Sequence, residues 1–369
     1  MKPTIWIFSL EPIETRYTAQ WHKHIPKLLK NNLGDKFNIV QVDGIQKDSQ
    51  LTPGAFLNFS DTNYWKSSQL CNFLEHHNRG ETSTDDHILF TDAWNPTVIQ
   101  LKYMKDLLGF NWTLHGMFHA GSYDPQDFLG RLIGDAAWVR HAEKSFYHAI
   151  DHNYFATDFH IDMFYTNLLH NGRSPEDPQW KYEDMIELTV ESKKIVRSGW
   201  PMDYMPSLLV PFETHKRDMI LFPHRIAPEK QVEIFKNLAK ELPQYEWIVC
   251  QEQNLTKDEY HHMLGQSKMV FSANLQETLG ISMYEGSIVE AMPLVPDRLS
   301  YKEMYISLWT YPSAWTESWD SYLLHKEELK ERIVRMMTNY ENLRVHARNT
   351  AQALHENFFS ATKLLENIK

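Results

Sequence analysis

MVFSANLQETLGISMYEGSIVEAM, residues 269–292, runs from an apolar stretch through a turn into an amphipathic one. MVFSAN (269–274) reads as a buried strand and its exit, and ISMYEGSIVEAM predicts a helix that begins near Gly280. That places Glu277 at the carboxyl end of a strand and Glu285 about one and a half turns into the following helix. In doubly wound α/β sheets ligands bind beyond the carboxyl ends of the strands, so this turn is where chemistry is expected.

The same alternation extends upstream. MILFPHR (219–225) and EWIVCQE (246–252) read as strands, PEKQVEIFKNLAKEL (228–242) and KDEYHHMLGQ (257–266) as helices. The N-terminal half repeats the pattern. Strands are expected over 4–10, 38–44, 87–94 and 112–121, and helices over 21–34, 67–80 and 98–110. Strand and helix in strict succession predict an α/β fold of doubly wound parallel sheets. A polar, proline-bearing loop is expected over 171–183, and an interdomain crossing over 197–218, where Gly and Pro interrupt any period. From His325 onward the chain reads as one charged amphipathic helix.

Composition bounds the answer. The 369 residues exceed what one hydrophobic core usually holds, so two domains are expected. Cys71 and Cys250 stand far apart with no ligand spacing, which argues against disulfides and zinc and suits a reducing compartment. The opening MKPTIWIFSL meets charge too soon for a signal peptide, and no apolar run has spanning length; a soluble, cytoplasmic protein with no membrane partner is expected. A net charge of -11 argues against nucleic-acid binding by bulk electrostatics, though not by a local basic face.

Arg225 and Lys230 bracket the turn that opens the helix at Pro228, where backbone N–H groups and the helix dipole favour an anion. Two cations there could neutralise a departing diphosphate; they also fit solvated helix-start charges. Glu285 could take both hydroxyls of a ribose, as acidic residues do in dinucleotide sites.

Together these residues resemble the C-terminal half of GT-B, family 4 type, retaining glycosyltransferases. The resemblance implies two Rossmann-like domains facing a cleft: an acceptor-binding domain over 1–200, a nucleotide-sugar-binding domain over 218–345, and a C-terminal helix over 346–369 that is a candidate to cross back. It implies that Arg225 and Lys230 hold the donor diphosphate, Glu277 contacts the sugar, Glu285 holds the ribose, and Thr278, Leu279 and Gly280 form the donor turn. No metal and no further cofactor is implied beyond a UDP- or GDP-sugar substrate. The run Pro293, Leu294, Pro296, Arg298, Leu299, Tyr301, Glu303 is similar to that of the tRNA-queuosine mannosyltransferase group, with Glu290 standing where a glycine is usual.

In the N-terminal half, His119, rather than His115, resembles the family histidine that contacts the transferred sugar or positions the acceptor. Asp92 could accept a hydrogen bond from the acceptor hydroxyl and Trp94 could stack on a base or sugar; a helix cap and a core tryptophan are the other readings. The first loop lacks the family's glycine pair. Arg16, Tyr17, Thr18 and Trp21 are candidates to meet the donor or the acceptor, and Lys23, Lys27 and Lys30 make this the one basic, aromatic-interleaved stretch. The overall build resembles phage-encoded enzymes that place a sugar on 5-hydroxymethylcytosine in DNA. DNA is therefore the preferred acceptor, with tRNA queuosine, a glycan or lipid-linked acceptor, and a non-catalytic nucleotide-sugar-binding module as alternatives.

Overall fold

The computed structural model describes residues 2–14, 16–47, 58–134, 136–169 and 194–368; the loop expected over 171–183 lies outside them. Two compact units emerge, one of residues 2–156, 160–201 and 361–368, the other of 157–159 and 202–360.

In the first unit, β1 (Thr4–Phe8), β2 (Asn38–Val42), β3 (His87–Phe90), β4 (Thr113–Met117), β5 (His152–Phe155) and β6 (Ile195–Arg197) form one parallel sheet in the order β2-β1-β3-β4-β5-β6. Every residue of β1 is buried, as expected of a strand covered on both faces. Buried Asp86 ties that strand's start to the loop before β3, accepting from Thr4 N (2.8 Å), Trp6 Nε1 (2.7 Å) and Ser83. Such a fully bonded carboxylate can be buried at tolerable cost.

The helices of this unit are α1 (Tyr17–Leu33), α2 (Phe59–Asn78), α3 (Thr97–Leu108), α4 (Phe128–Ile133), α5 (Ala137–Ala149) and α6 (Asp158–Phe164), the last shared with the 157–159 segment. α1 starts four residues before the expected Trp21, so much of the presumed first loop is helical. Its phase buries Thr18, Trp21, Ile25 and Leu29 and leaves Lys23, Lys27 and Lys30 exposed. Asn58 caps α2, accepting from Ser60 N and Asp61 N. β4 is shorter than expected, because the chain leaves the sheet after Met117 toward His119.

In the second unit, β7 (Arg217–Phe222), β8 (Glu246–Val249), β9 (Ser267–Phe271), β10 (Met292–Pro296) and β11 (Thr310–Tyr311) form a parallel sheet ordered β11-β10-β9-β7-β8. The expected interdomain crossing contains α7 (Met205–Leu209). α8 (Val232–Glu241), α9 (Lys257–Gln266), α10 (Ile281–Ile288) and α11 (Tyr301–Met304) follow.

Two expectations need correction. The helix expected over 281–292 stops at Ile288, because Glu290 takes a left-handed conformation (φ 63°) and Ala291 N bonds back to Gly286 O, turning the chain into β10. The single C-terminal helix is three: α12 (Trp319–Thr338), α13 (Tyr340–Phe358) and α14 (Thr362–Asn367). The first break falls at Asn339, whose side chain donates to Arg335 O at 2.8 Å and so satisfies the helix end. Among the described residues no helix is long and apolar enough to cross a membrane.

Candidate functional site

Each sheet has a point where strand order reverses, between β1 and β3 in the first unit and between β7 and β9 in the second. The candidate residues gather at the carboxyl ends of those pairs, where open α/β sheets bind ligands.

In the second unit, β7 ends at Phe222 and the chain passes His224 and Arg225 into a 3-10 turn, Pro228–Lys230. The helix expected to open at Pro228 opens instead at Val232, after Gln231 in a left-handed conformation (φ 52°). Gln231 holds that shape by donating its amide to Ala273 O (2.6 Å) and Thr316 O (2.7 Å). Lys230 is thereby turned inward and buried. Its Nζ donates to Gln276 O at 2.5 Å and lies 3.5 Å from Glu277 Oε2. Arg225 keeps its side chain 29% exposed and pairs with fully buried Glu229. These cations are therefore not simply solvated helix-start charges.

Glu277 sits where β9's exit meets the turn into α10. Burial opposes its ionisation, but the Lys230 cation and the Leu279 and Gly280 backbone N–H groups outweigh that and hold its carboxyl below the ordinary value. Gly280 has φ 74°, and a Cβ there would stand 2.7 Å from the Tyr301 ring, so the turn requires glycine. Thr278 and Leu279 are buried in it. Glu285 is also buried; it accepts from Tyr260 OH at 2.8 Å, with Lys257 Nζ 3.9 Å away.

Other residues of this site have no role assigned from the sequence. Arg298 clamps the 273–274 exit, donating to Ala273 O and Asn274 O (2.7 Å each) and to Ser313 O and Thr316 O. Tyr301 OH lies 3.1 Å from Ser272 Oγ. Thus two members of the 293–303 run build the turn from behind. His224 and Asn274 are buried polar residues inside the site. Their sequence signal was only adjacency, one residue before Arg225 and three before Glu277. Glu290, in the place usual for glycine, keeps its positive φ with a buried carboxylate paired to Arg344 (2.8 Å) and Arg348.

In the first unit, Arg16, Tyr17, Asp92, Trp94 and His119 surround a cavity of about 340 Å³ at the ends of β1, β3 and β4. Its walls are mainly apolar, with Leu10, Leu129, Leu132 and Ile133, and Phe59 stacks on Phe128 (5.7 Å, 22°). Trp94 is fixed: its Nε1 donates to Glu143 Oε1 at 3.0 Å, and Lys66 bonds its carbonyl. Asp92 faces Lys66 Nζ at 3.1 Å and accepts from Trp94 N.

His119 is engaged at both ring nitrogens. Nε2 donates to Thr91 O (2.8 Å), so Nδ1 is the acceptor for Tyr17 OH (2.9 Å). Burial pushes its pKa down, only partly offset by Asp92 and the Thr91 carbonyl. It is a neutral, positioned ring rather than a free base. Trp21 does not reach the cavity; it is 2% exposed and packs edge-on against Tyr17, His119 and Trp200. Thr18 is buried as well, accepting from Ile13 N. His115 lies inside the sheet, stacked between His87 and His152. Among the described residues no group of three or more His, Cys, Asp or Glu is placed to hold a metal ion.

No protein-family model matches the chain, and no curated protein matches it. Solved structures do. Sucrose-phosphate synthase from Thermosynechococcus elongatus aligns over 100% of this chain and 97% of its own, with 11% identity and a TM-score of 0.58. The catalytic domain of starch synthase IV from Arabidopsis thaliana, bound to ADP and acarbose, aligns over 99% of both chains (9% identity, TM-score 0.56). Anabaena HepE, in complex with UDP and glucose, aligns over 100% of this chain and 98% of its own (10% identity, TM-score 0.54). The chain has the GT-B fold, two Rossmann-like α/β units each with a parallel sheet.

Proposed function

We propose that this protein is a retaining glycosyltransferase that takes a sugar from a nucleotide-sugar donor held by the second unit and transfers it to a hydroxyl of an acceptor held by the first. The observation that carries this reading is the Lys230–Glu277 pair at the β7/β9 switch point, with Arg225 on the same exit from β7 and Glu285 on the helix that follows Glu277, on a fold whose solved examples include structures with ADP and with UDP and glucose. Arg225 and Lys230 stabilise the departing diphosphate. Glu277, ionised beside Lys230, meets a sugar hydroxyl or the positive charge that develops at the anomeric carbon. Glu285 takes the ribose hydroxyls, and Thr278, Leu279 and Gly280 line the donor. The metal-free route needs only the two cations and the turn's N–H groups.

For the acceptor we propose a hydroxyl on a modified nucleic-acid base, with 5-hydroxymethylcytosine in DNA as first choice and tRNA queuosine as the nearest variant. The first unit's cavity supports it. Flat aromatic surfaces at Phe59, Phe128 and Trp94 suit a planar base, and Asp92 is the group to accept the attacking hydroxyl's hydrogen bond. Arg16 and the exposed Lys23, Lys27 and Lys30 supply phosphate contacts. A sugar or glycan acceptor is the second reading, favoured by the neighbours' names, sucrose-phosphate synthase and starch synthase. The test is mass spectrometry of nucleosides from 5-hydroxymethylcytosine DNA, unmodified DNA and tRNA treated with the protein and a UDP- or GDP-sugar. A sugar mass on 5-hydroxymethylcytosine alone is expected. No sugar mass on any nucleoside of the three substrates overturns the base reading.

A further inference from the structure

His224 is 6% exposed and sits between the end of β7 and the first turn of α10. Its Nδ1 faces Asn274 Nδ2 and Ser282 Oγ, each at 3.5 Å. The orientation of the Asn274 amide is set independently, because its Nδ2 also donates to Glu277 Oε2 at 3.2 Å and to Tyr301 OH at 3.3 Å, and a carboxylate accepts only from the N–H side. Nδ1 of His224 therefore faces an amide nitrogen, which cannot accept, and a hydroxyl, which can donate, and is the unprotonated nitrogen. The proton of the neutral ring is then on Nε2, and Nε2 is buried with no hydrogen-bond partner. The ring stays neutral, since burial and then the Lys230 cation push its pKa down to about 3.

A buried, unpartnered N–H donor is costly and calls for an acceptor. Two cations, Lys230 and Arg225, act on this ring against one carboxylate, Glu277, and the first turn of α10 is beside it. That environment selects an anionic oxygen over a hydroxyl. We infer that His224 Nε2–H is a donor to an oxygen of the sugar-bearing phosphoryl group of the nucleotide donor, a binding role additional to the Arg225 and Lys230 charges. The inference rests on the donor site proposed above. It makes His224 a neutral donor inside a cationic site, where a third positive charge would be expelled.

Isothermal titration with UDP, GDP and ADP, with the corresponding monophosphates, and with UDP-glucose and GDP-glucose tests this on the full chain. His224→Asn keeps a polar group near the Nδ1 position but has nothing that reaches Nε2, whereas His224→Gln returns an amide N–H there. The expected result is a loss of about ten-fold or more in diphosphate affinity for His224→Asn, unchanged monophosphate affinity, and recovery of most of the loss in His224→Gln. Equal losses for monophosphate and diphosphate, or full diphosphate affinity in His224→Asn, overturn the inference and leave the donor site standing. Loss confined to the intact nucleotide-sugar would place the ring against the sugar and overturn it too. Wild-type protein that binds no nucleoside diphosphate overturns both. If His224→Asn melts early, His224→Gln decides: a folded variant with neither diphosphate selectivity nor affinity contradicts the assignment.

Discussion

Lys230 Nζ and Glu277 Oε2, from residues 47 apart in the chain, lie 3.5 Å from each other at the β7/β9 switch point. The pair is more than a link between two strand exits. The Lys230 cation favours the ionised form of Glu277, in a pair whose side chains are only 7% and 18% exposed. In the proposed reaction the site holds an anion and a developing cation side by side, and both charges would be in place before substrate arrives.

Removing one partner should therefore cost more than removing both. Lys230→Met strands the Glu277 carboxylate and should destabilise the protein by about 1–3 kcal/mol, the usual cost of an uncompensated buried group. Adding Glu277→Gln should return part of that loss. Chemical denaturation of the two single variants and the double variant measures the coupling; strictly additive effects would mean the pair does not interact.

The first unit carries a pH liability away from the candidate site. His87, His115 and His152 stack at 5.2 and 5.1 Å, and His115 Nδ1 lies 2.8 Å from Tyr154 OH. Burial lowers the pKa of all three, and neighbouring imidazoles lower those of His87 and His115 further. The unfolded chain binds these protons near the ordinary value of about 6.5, and the folded chain does not. Stability should be full above that pH and fall as pH drops below it. Denaturation midpoints from pH 8 to about 5 should show this decline, and His115→Gln should make it shallower. A slope unchanged in that variant would assign the acid sensitivity elsewhere.

Glu290 offers a test of backbone against side chain. Its positive φ favours glycine, while its carboxylate binds Arg344 and Arg348. Glu290→Gly loses the pairs but relieves the backbone; Glu290→Ala loses the pairs and keeps the strain. Alanine should be the less stable of the two by about 1 kcal/mol in thermal or chemical denaturation. The reverse order would mean that φ is not what the position selects.

The fold was legible because its signals are local. Buried parallel strands such as TIWIF and MVF read as apolar runs, and helices such as 257–266 carry their caps beside them. The turn proposed to hold the donor was legible for the same reason, since Glu277, Gly280 and Glu285 belong to one strand–turn–helix passage. What escaped depends on distance or phase. Arg298 holds Asn274 O across 24 residues, and nothing in its neighbourhood says so. Trp21 was an attractive aromatic in a basic stretch, but one helical turn decides whether such a ring faces outward, and α1 turns it in. The short elements α4 and β5 carry too few residues to show a period. His224 was hidden because a lone histidine has no pattern; only its surroundings give it a role.

The proposed reaction is sugar transfer from a nucleotide-sugar bound at the β7/β9 switch point. Its most direct test is nucleotide release from a panel of UDP- and GDP-sugars, with 5-hydroxymethylcytosine DNA as acceptor, by wild-type protein and by folded Lys230→Ala. Acceptor-dependent release by the wild type is expected, with a fall of about 10²–10³-fold in the variant, the usual effect of losing one charge-stabilising donor. Equal rates in the two proteins would contradict it.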